Sequence, residues 1–115
     1  MLQIDKSLMA GSTTLLVLSL LRSGEMYGYE MTAELARRSD DSFQLREGTL
    51  YPLLHTLENG GYVRSRMGEA PGGRNRKYYR LTKKGAALLE DKTAQWRFFS
   101  EKVNTVLDGA APSMA

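Results

Sequence analysis

The sequence contains no cysteine. Disulfide scaffolds, thiolate metal sites and cysteine nucleophiles are excluded. Histidine occurs once, as His55, which argues against a histidine metal cage or a nucleophile–histidine triad. No pair of carboxylates has the spacing of a general acid and base. The sequence therefore points to no catalytic residues, no metal and no cofactor, and to a protein that is not an enzyme. Long apolar runs are also missing. The longest, Leu15–Leu21, is seven residues and includes Ser19; a membrane span needs about 20. The first residues, Met-Leu-Gln-Ile-Asp-Lys, lack the basic start, apolar middle and small-residue site of a secretory signal. A cytoplasmic protein is expected. At 115 residues and 12.9 kDa there is core for one domain and one appended helix. A two-domain cofactor enzyme does not fit.

What is present is an uneven charge. The net value is only +3. Residues 61–85 hold Arg64, Arg66, Arg74, Arg76, Lys77, Arg80, Lys83 and Lys84 against the single acid Glu69, a net of +7. The other 90 residues sum to −4. One short segment carries the positive field, which implies a polyanion contacted by a small part of the surface. The glycines in that segment are not a nucleotide loop. Gly68-x4-Gly73-Arg74-Asn75 resembles GxxxxGK[ST], but a strand-forming run follows it where phosphate binding needs a helix N-terminus.

Hydrophobic periodicity sets out the elements. Residues 7–22 read as one mostly buried helix, N-capped by Ser7, weak around Gly11 and stopped at Ser23-Gly24. A second helix spans 27–38, with Arg37-Arg38 suiting the negative end of its dipole. Ser39–Ser42 is a turn, and Phe43-Gln44-Leu45 a stub of strand. A third helix spans 46–59, its apolar stripe formed by Leu50, Leu53, Leu54 and Leu57. Pro52 should bend it or make its first turn irregular. Residues 62–67 and 76–81 form a hairpin around a glycine-rich loop. Tyr78 and Tyr79 alternate, so one should face the core and the other the surface. Thr82 caps a final helix over 83–107, with Leu89, Trp96, Phe99, Val103 and Val106 on an a/d-type stripe.

Three short helices followed by a basic hairpin make the pattern of a winged helix-turn-helix. The third helix is narrow enough for the DNA major groove, and the hairpin's charge suits the phosphate backbone. Three segments carry a closer likeness. Gly48-Thr49-Leu50-Tyr51-Pro52-Leu53-Leu54-His55 resembles the recognition helix of PadR-type transcriptional regulators. Gly73-Arg74-Asn75-Arg76-Lys77-Tyr78-Tyr79-Arg80-Leu81-Thr82 resembles the family's wing, and Tyr27-Gly28-Tyr29-Glu30 its second helix. Arg46-Glu47 departs from the common Ser-Pro helix start, and Asn75 interrupts the basic run.

The expected fold class is mainly α (α+β), a winged helix-turn-helix with a C-terminal dimerisation helix. Residues 1–82 would form the DNA-binding domain, 83–108 the dimerisation helix and 109–115 a disordered tail. Double-stranded DNA would be contacted by Tyr27, Gly28, Thr49, Tyr51, Pro52, His55, Arg74, Arg76, Lys77 and Tyr78. A two-fold homodimer would be made by Leu8, Leu89, Trp96, Phe99, Val103 and Val106, because a long apolar stripe beyond a filled core marks an interface. The resemblance to compact, drug-responsive members implies a ligand-responsive repressor. Its effector would be a small planar or drug-like compound held between subunits by Trp96, Leu89 and Phe99. Thr93 and Ser100 flank Trp96 where the known drug binders have aromatic and acidic residues, so effector identity does not carry over. A different class of reading is a helical protein–protein adaptor whose basic hairpin binds an acidic partner.

Overall fold

The computed structural model describes residues 2–109, so the expected tail lies outside the described residues from 110 onward. The order of elements is α1 (Lys6–Ala10), α2 (Thr13–Arg22), β1 (Met26–Tyr27), α3 (Gly28–Arg38), α4 (Glu47–Asn59), β2 (Val63–Glu69), β3 (Asn75–Leu81) and α5 (Lys83–Leu107). This is the winged-helix arrangement expected of the sequence. α4 corresponds to the third sequence helix.

The single helix expected over 7–22 is two helices. Gly11 is a poor helix former, and neighbouring hydroxyls compete for backbone carbonyls. Thr13 Oγ1 donates to the Met9 carbonyl at 3.0 Å, and the Ser12 amide donates to the same oxygen at 3.0 Å. The cap of α1 is Asp5 rather than Ser7, whose amide donates to the Asp5 carboxylate at 2.9 Å. α2 ends at Ser23, and Gly24 follows with φ 141°, a value that favours glycine.

The stub of strand at residues 43–45 does not form. Phe43 and Leu45 pack into the core as part of the α3–α4 connection. The third strand is Met26–Tyr27, and the sheet order is β1-β3-β2. β3 is thus paired on both sides, by β1 and β2, and residues 43–45 stand outside the sheet. The connection itself turns on Asp40 and Asp41, both left-handed at φ 50° and 61°, a region aspartate tolerates better than most residues. Ser39 Oγ accepts from the Phe43 amide at 3.0 Å and holds the turn closed.

Val17, Leu18, Leu20, Met31, Leu50, Leu54, Val63 and Tyr79 fill one core between the helices and the sheet. Tyr79 is buried and Tyr78 only half-buried, as the alternation along β3 requires. Thr82 Oγ1 accepts from the Gly85 amide at 3.0 Å and starts α5 as expected. α5 then divides. Leu89 is 3% exposed and belongs to the core, which corrects its assignment to the interface and effector stripe. It sits in the first turns of α5, where the helix crosses α2. Beyond it, α5 leaves the domain. The radius of gyration is 16.6 Å, against about 13 Å for a compact chain of this length.

Candidate nucleic-acid interface

α4 turns Leu50, Leu54 and Leu57 inward. The helical period therefore leaves Thr49, Tyr51, Pro52, His55 and Asn59 exposed. The helix is continuous through Pro52. His55 Nε2 lies 3.3 Å from Asn59 Nδ2, so the two side chains share the far end of this face.

Tyr51 links α4 to the start of α3. A Cβ added at Gly28 would meet the Tyr51 hydroxyl at 2.3 Å and its ring carbon at 2.8 Å. Only glycine lets the Tyr51 ring lie against that helix start, while the residue stays 44% exposed. The Tyr27 amide donates to Glu30 Oε1 at 3.1 Å, satisfying one donor at the N-terminus of α3.

The hairpin completes the surface. Tyr27 and Tyr78 meet edge to face, with centroids 5.3 Å apart and planes at 78°. The Arg76 guanidinium lies 5.6 Å from the Tyr27 ring and that of Arg66 4.9 Å from the Tyr78 ring. Burial pushes the Tyr78 hydroxyl above its ordinary value, with the nearby Glu30 and Tyr27 adding to the shift. Arg74 is exposed in the loop between the strands. Tyr27, Gly28, Tyr51, Arg76 and Tyr78 are thus brought together, with Thr49, Pro52 and His55 along the adjoining helix face.

Lys77 is turned elsewhere. Alternation along β3 puts it on the side opposite Arg76 and Tyr78, where its ammonium lies 3.5 Å from Glu58 of α4 and 5.6 Å from the Tyr79 ring. Glu58 also accepts from Ser65 Oγ. The Ser65 hydrogen bond, then the Lys77 charge, hold the Glu58 carboxyl below its ordinary value. This cluster ties α4 to both strands of the hairpin. Sequence reading missed it, along with the Gly28–Tyr51 approach and the place of Arg66. Arg66 pairs with Glu25, just before β1, and its hydrogen bond lowers the Glu25 carboxyl. The available signal was the strand period. With Tyr79 in the core, residues 76, 78 and 80 must share the other side. The partners on β2 depend on the register, which the expected eight-residue loop concealed. The loop between the strands is residues 70–74.

No group of three or more histidine, aspartate or glutamate side chains suited to a metal occurs among the described residues. No helix among them is long and apolar enough to cross a membrane.

Comparisons with known proteins agree with this fold. The model of the transcriptional regulator PadR-like family matches residues 17–91. A transcriptional regulator of Mycobacterium tuberculosis, Rv3488, is 42% identical over 71 residues, which cover 61% of this chain and 63% of that protein. The solved structure of a transcriptional regulator from Clostridium thermocellum superposes with a TM-score of 0.80 at 31% identity, covering 89% of this chain and 96% of that one. A PadR family regulator from Eggerthella lenta superposes with a TM-score of 0.78 at 34% identity, covering 90% and 88%. The surface built by α3, α4 and the hairpin therefore lies within a chain that belongs to the PadR-like family of transcriptional regulators, which are not enzymes.

Proposed function

We propose that this regulator is a sequence-specific DNA-binding homodimer, a repressor at a palindromic operator that answers to a small planar or drug-like compound. The observation that carries the reading is the continuity of the exposed face of α4 with Tyr27, Gly28, Tyr51, Tyr78 and Arg76. A helix face presenting Thr49, Pro52 and His55 suits base edges in the major groove. Tyrosine hydroxyls, guanidinium groups and the start of α3 suit phosphates beside it. Arg74 and Arg76 supply the backbone contact at the hairpin. Lys77, paired with Glu58, holds the hairpin against α4 instead.

The second half of α5 supports the dimer. Trp96 is 46% exposed, Phe99 60% and Val106 79%, and Val103 and Leu8 are exposed too. The accessible surface is 8311 Å², whereas a compact monomer of this mass exposes about 6300 Å². The excess approaches the area that obligate dimers bury. An effector site would be built between subunits on the exposed Trp96 and Phe99, without the buried Leu89. An effector acts only through unequal affinity for the two dimer geometries.

The test is selection of duplexes from a random pool, followed by anisotropy titration across salt. A dyad-symmetric sequence is the expected outcome, with half-sites about one helical turn apart. Arg74→Ala with Arg76→Ala should lower the log–log salt slope by about one per lost phosphate contact. Failure to enrich any duplex at low salt would overturn the reading. Quenching of the single tryptophan by planar aromatic compounds tests the effector site. Silence across a broad panel would reduce Trp96 to packing.

A further inference from the structure

The positive surface extends further than the contact just described. Arg64 stands opposite Arg80, Arg66 opposite Tyr78 and Gly68 opposite Arg76. Side chains directly opposite share a face, so Arg64, Arg66, Arg76 and Arg80 stand on one side of the sheet. Tyr27, in register with Tyr78, joins them. The other side carries Val63 and Tyr79 into the core, and Ser65 and Lys77 towards Glu58 of α4. The arginines therefore lie on the outer face of the sheet, opposite the one that packs on Glu58 of α4, and meet the α4 surface only through Tyr27 and Gly28.

Two features mark this face as unfinished. Arg64 and Arg80 are like charges directly opposed, an arrangement that destabilises a strand pair. Among the described residues, the one carboxylate ion-paired to this face is Glu25, and it takes Arg66. Arg64, Arg76 and Arg80 have no carboxylate within 4.0 Å among those residues.

We propose that the outer face of the sheet is a second phosphate-binding surface, which takes duplex DNA flanking the site read by α4. The proposal rests on the reading that α4 and the hairpin engage DNA, because the new surface continues from theirs through Arg76, Tyr27 and Tyr78. From Arg76 to Arg80 the strand rises about 13 Å. One DNA strand carries about four charges over that axial length. Exposed guanidinium forks suit phosphate oxygens, and an incoming phosphate would relieve the opposition of Arg64 and Arg80. Glu25 occupies Arg66 in the free protein, so Arg64 and Arg80 carry the contact.

The experiment compares two duplexes with the free protein as a full chain. One is a selected site trimmed to its minimum; the other carries about ten further base pairs on each side. Wild type should bind the extended duplex at least tenfold more tightly at low salt. Its salt slope should be steeper by about 0.9 for each arginine engaged. Arg64→Gln with Arg80→Gln should lose that gain while binding the minimal duplex as wild type does. A melting temperature at or above wild type, as expected when opposed charges are removed, shows that the variant is folded. Equal affinity of wild type for both duplexes would overturn the proposal. So would a variant that keeps the gain, or one that weakens equally on both. No binding of wild type to the minimal duplex would instead sink the DNA reading itself, and this proposal with it.

Discussion

The two halves of α5 are one helix with opposite duties. From Thr82 to Leu89 it is built into the domain. Gly85 lies against the Tyr62 carbonyl, Leu89 reaches the core, and Lys84 Nζ donates to the Gly60 carbonyl at 2.7 Å. From Trp96 to Leu107 it carries large apolar side chains with nothing over them, Phe98, Phe99 and Val106 among them. The same 3.6-residue period runs through both halves. The stripe alone does not say which residues the domain itself covers; that depends on where α2 and the hairpin end.

Gly85→Ala should break the docked half most severely. Its Cβ would lie 1.9 Å from the Tyr62 carbonyl oxygen, a backbone atom that cannot step aside. A loss of about 3 kcal/mol or more is expected in urea unfolding; a near-neutral result would mean that α5 docks more loosely than described. Leu89→Ala should cost about 2–5 kcal/mol, because a buried leucine leaves a cavity. The matching change in the free half, Phe99→Glu with Val106→Glu, should halve the mass seen in sedimentation while the circular dichroism of the domain persists. If Leu89→Ala alone dissociated a stable, folded chain, the division between the halves would be wrong. Gly28→Ala offers a sharper contrast with Gly85→Ala. Its clash is with the far end of a tyrosine side chain, so Tyr51 can swing away. DNA binding should weaken by about tenfold, the loss of one phosphate contact of roughly 1.4 kcal/mol, while stability changes little.

The smallest effect is expected at the half-buried Glu34. Hydrogen bonds from Arg37, then Arg38, lower its carboxyl from the ordinary 4.5 to about 2. A depressed folded-state value means that its stabilisation is present above pH 4.5 and is lost as pH falls through about 2. Thermal melts of Glu34→Gln and wild type should therefore differ by a small constant amount above pH 5 and converge towards pH 2. A difference that grew on acidification would contradict the pairing.

Much of the candidate interface was legible in the residues. The leucine spacing of α4 placed Thr49, Tyr51, Pro52 and His55 outward, and the charge count singled out the hairpin. The Tyr78–Tyr79 alternation assigned each ring its side of the sheet. Leu89 was misplaced because an a/d stripe does not distinguish the core of its own domain from a second copy. Phe43–Leu45 was misplaced because three alternating residues cannot show whether a partner strand is free. Lys77 looked equivalent to Arg76 because both are cations in one basic run, and only strand register separates them.

The sequence by itself determined the helices from α3 onward, the hairpin and the basic segment. These depend on composition and on contacts between near neighbours, which period and charge record directly. Tertiary structure decided the rest. It joined Met26–Tyr27 to β3, brought Tyr51 onto Gly28, put Glu58 between Ser65 and Lys77, and set four arginines on the outer face of the sheet. Each of these depends on which distant segments meet, and pairing across tens of residues leaves no local period to read.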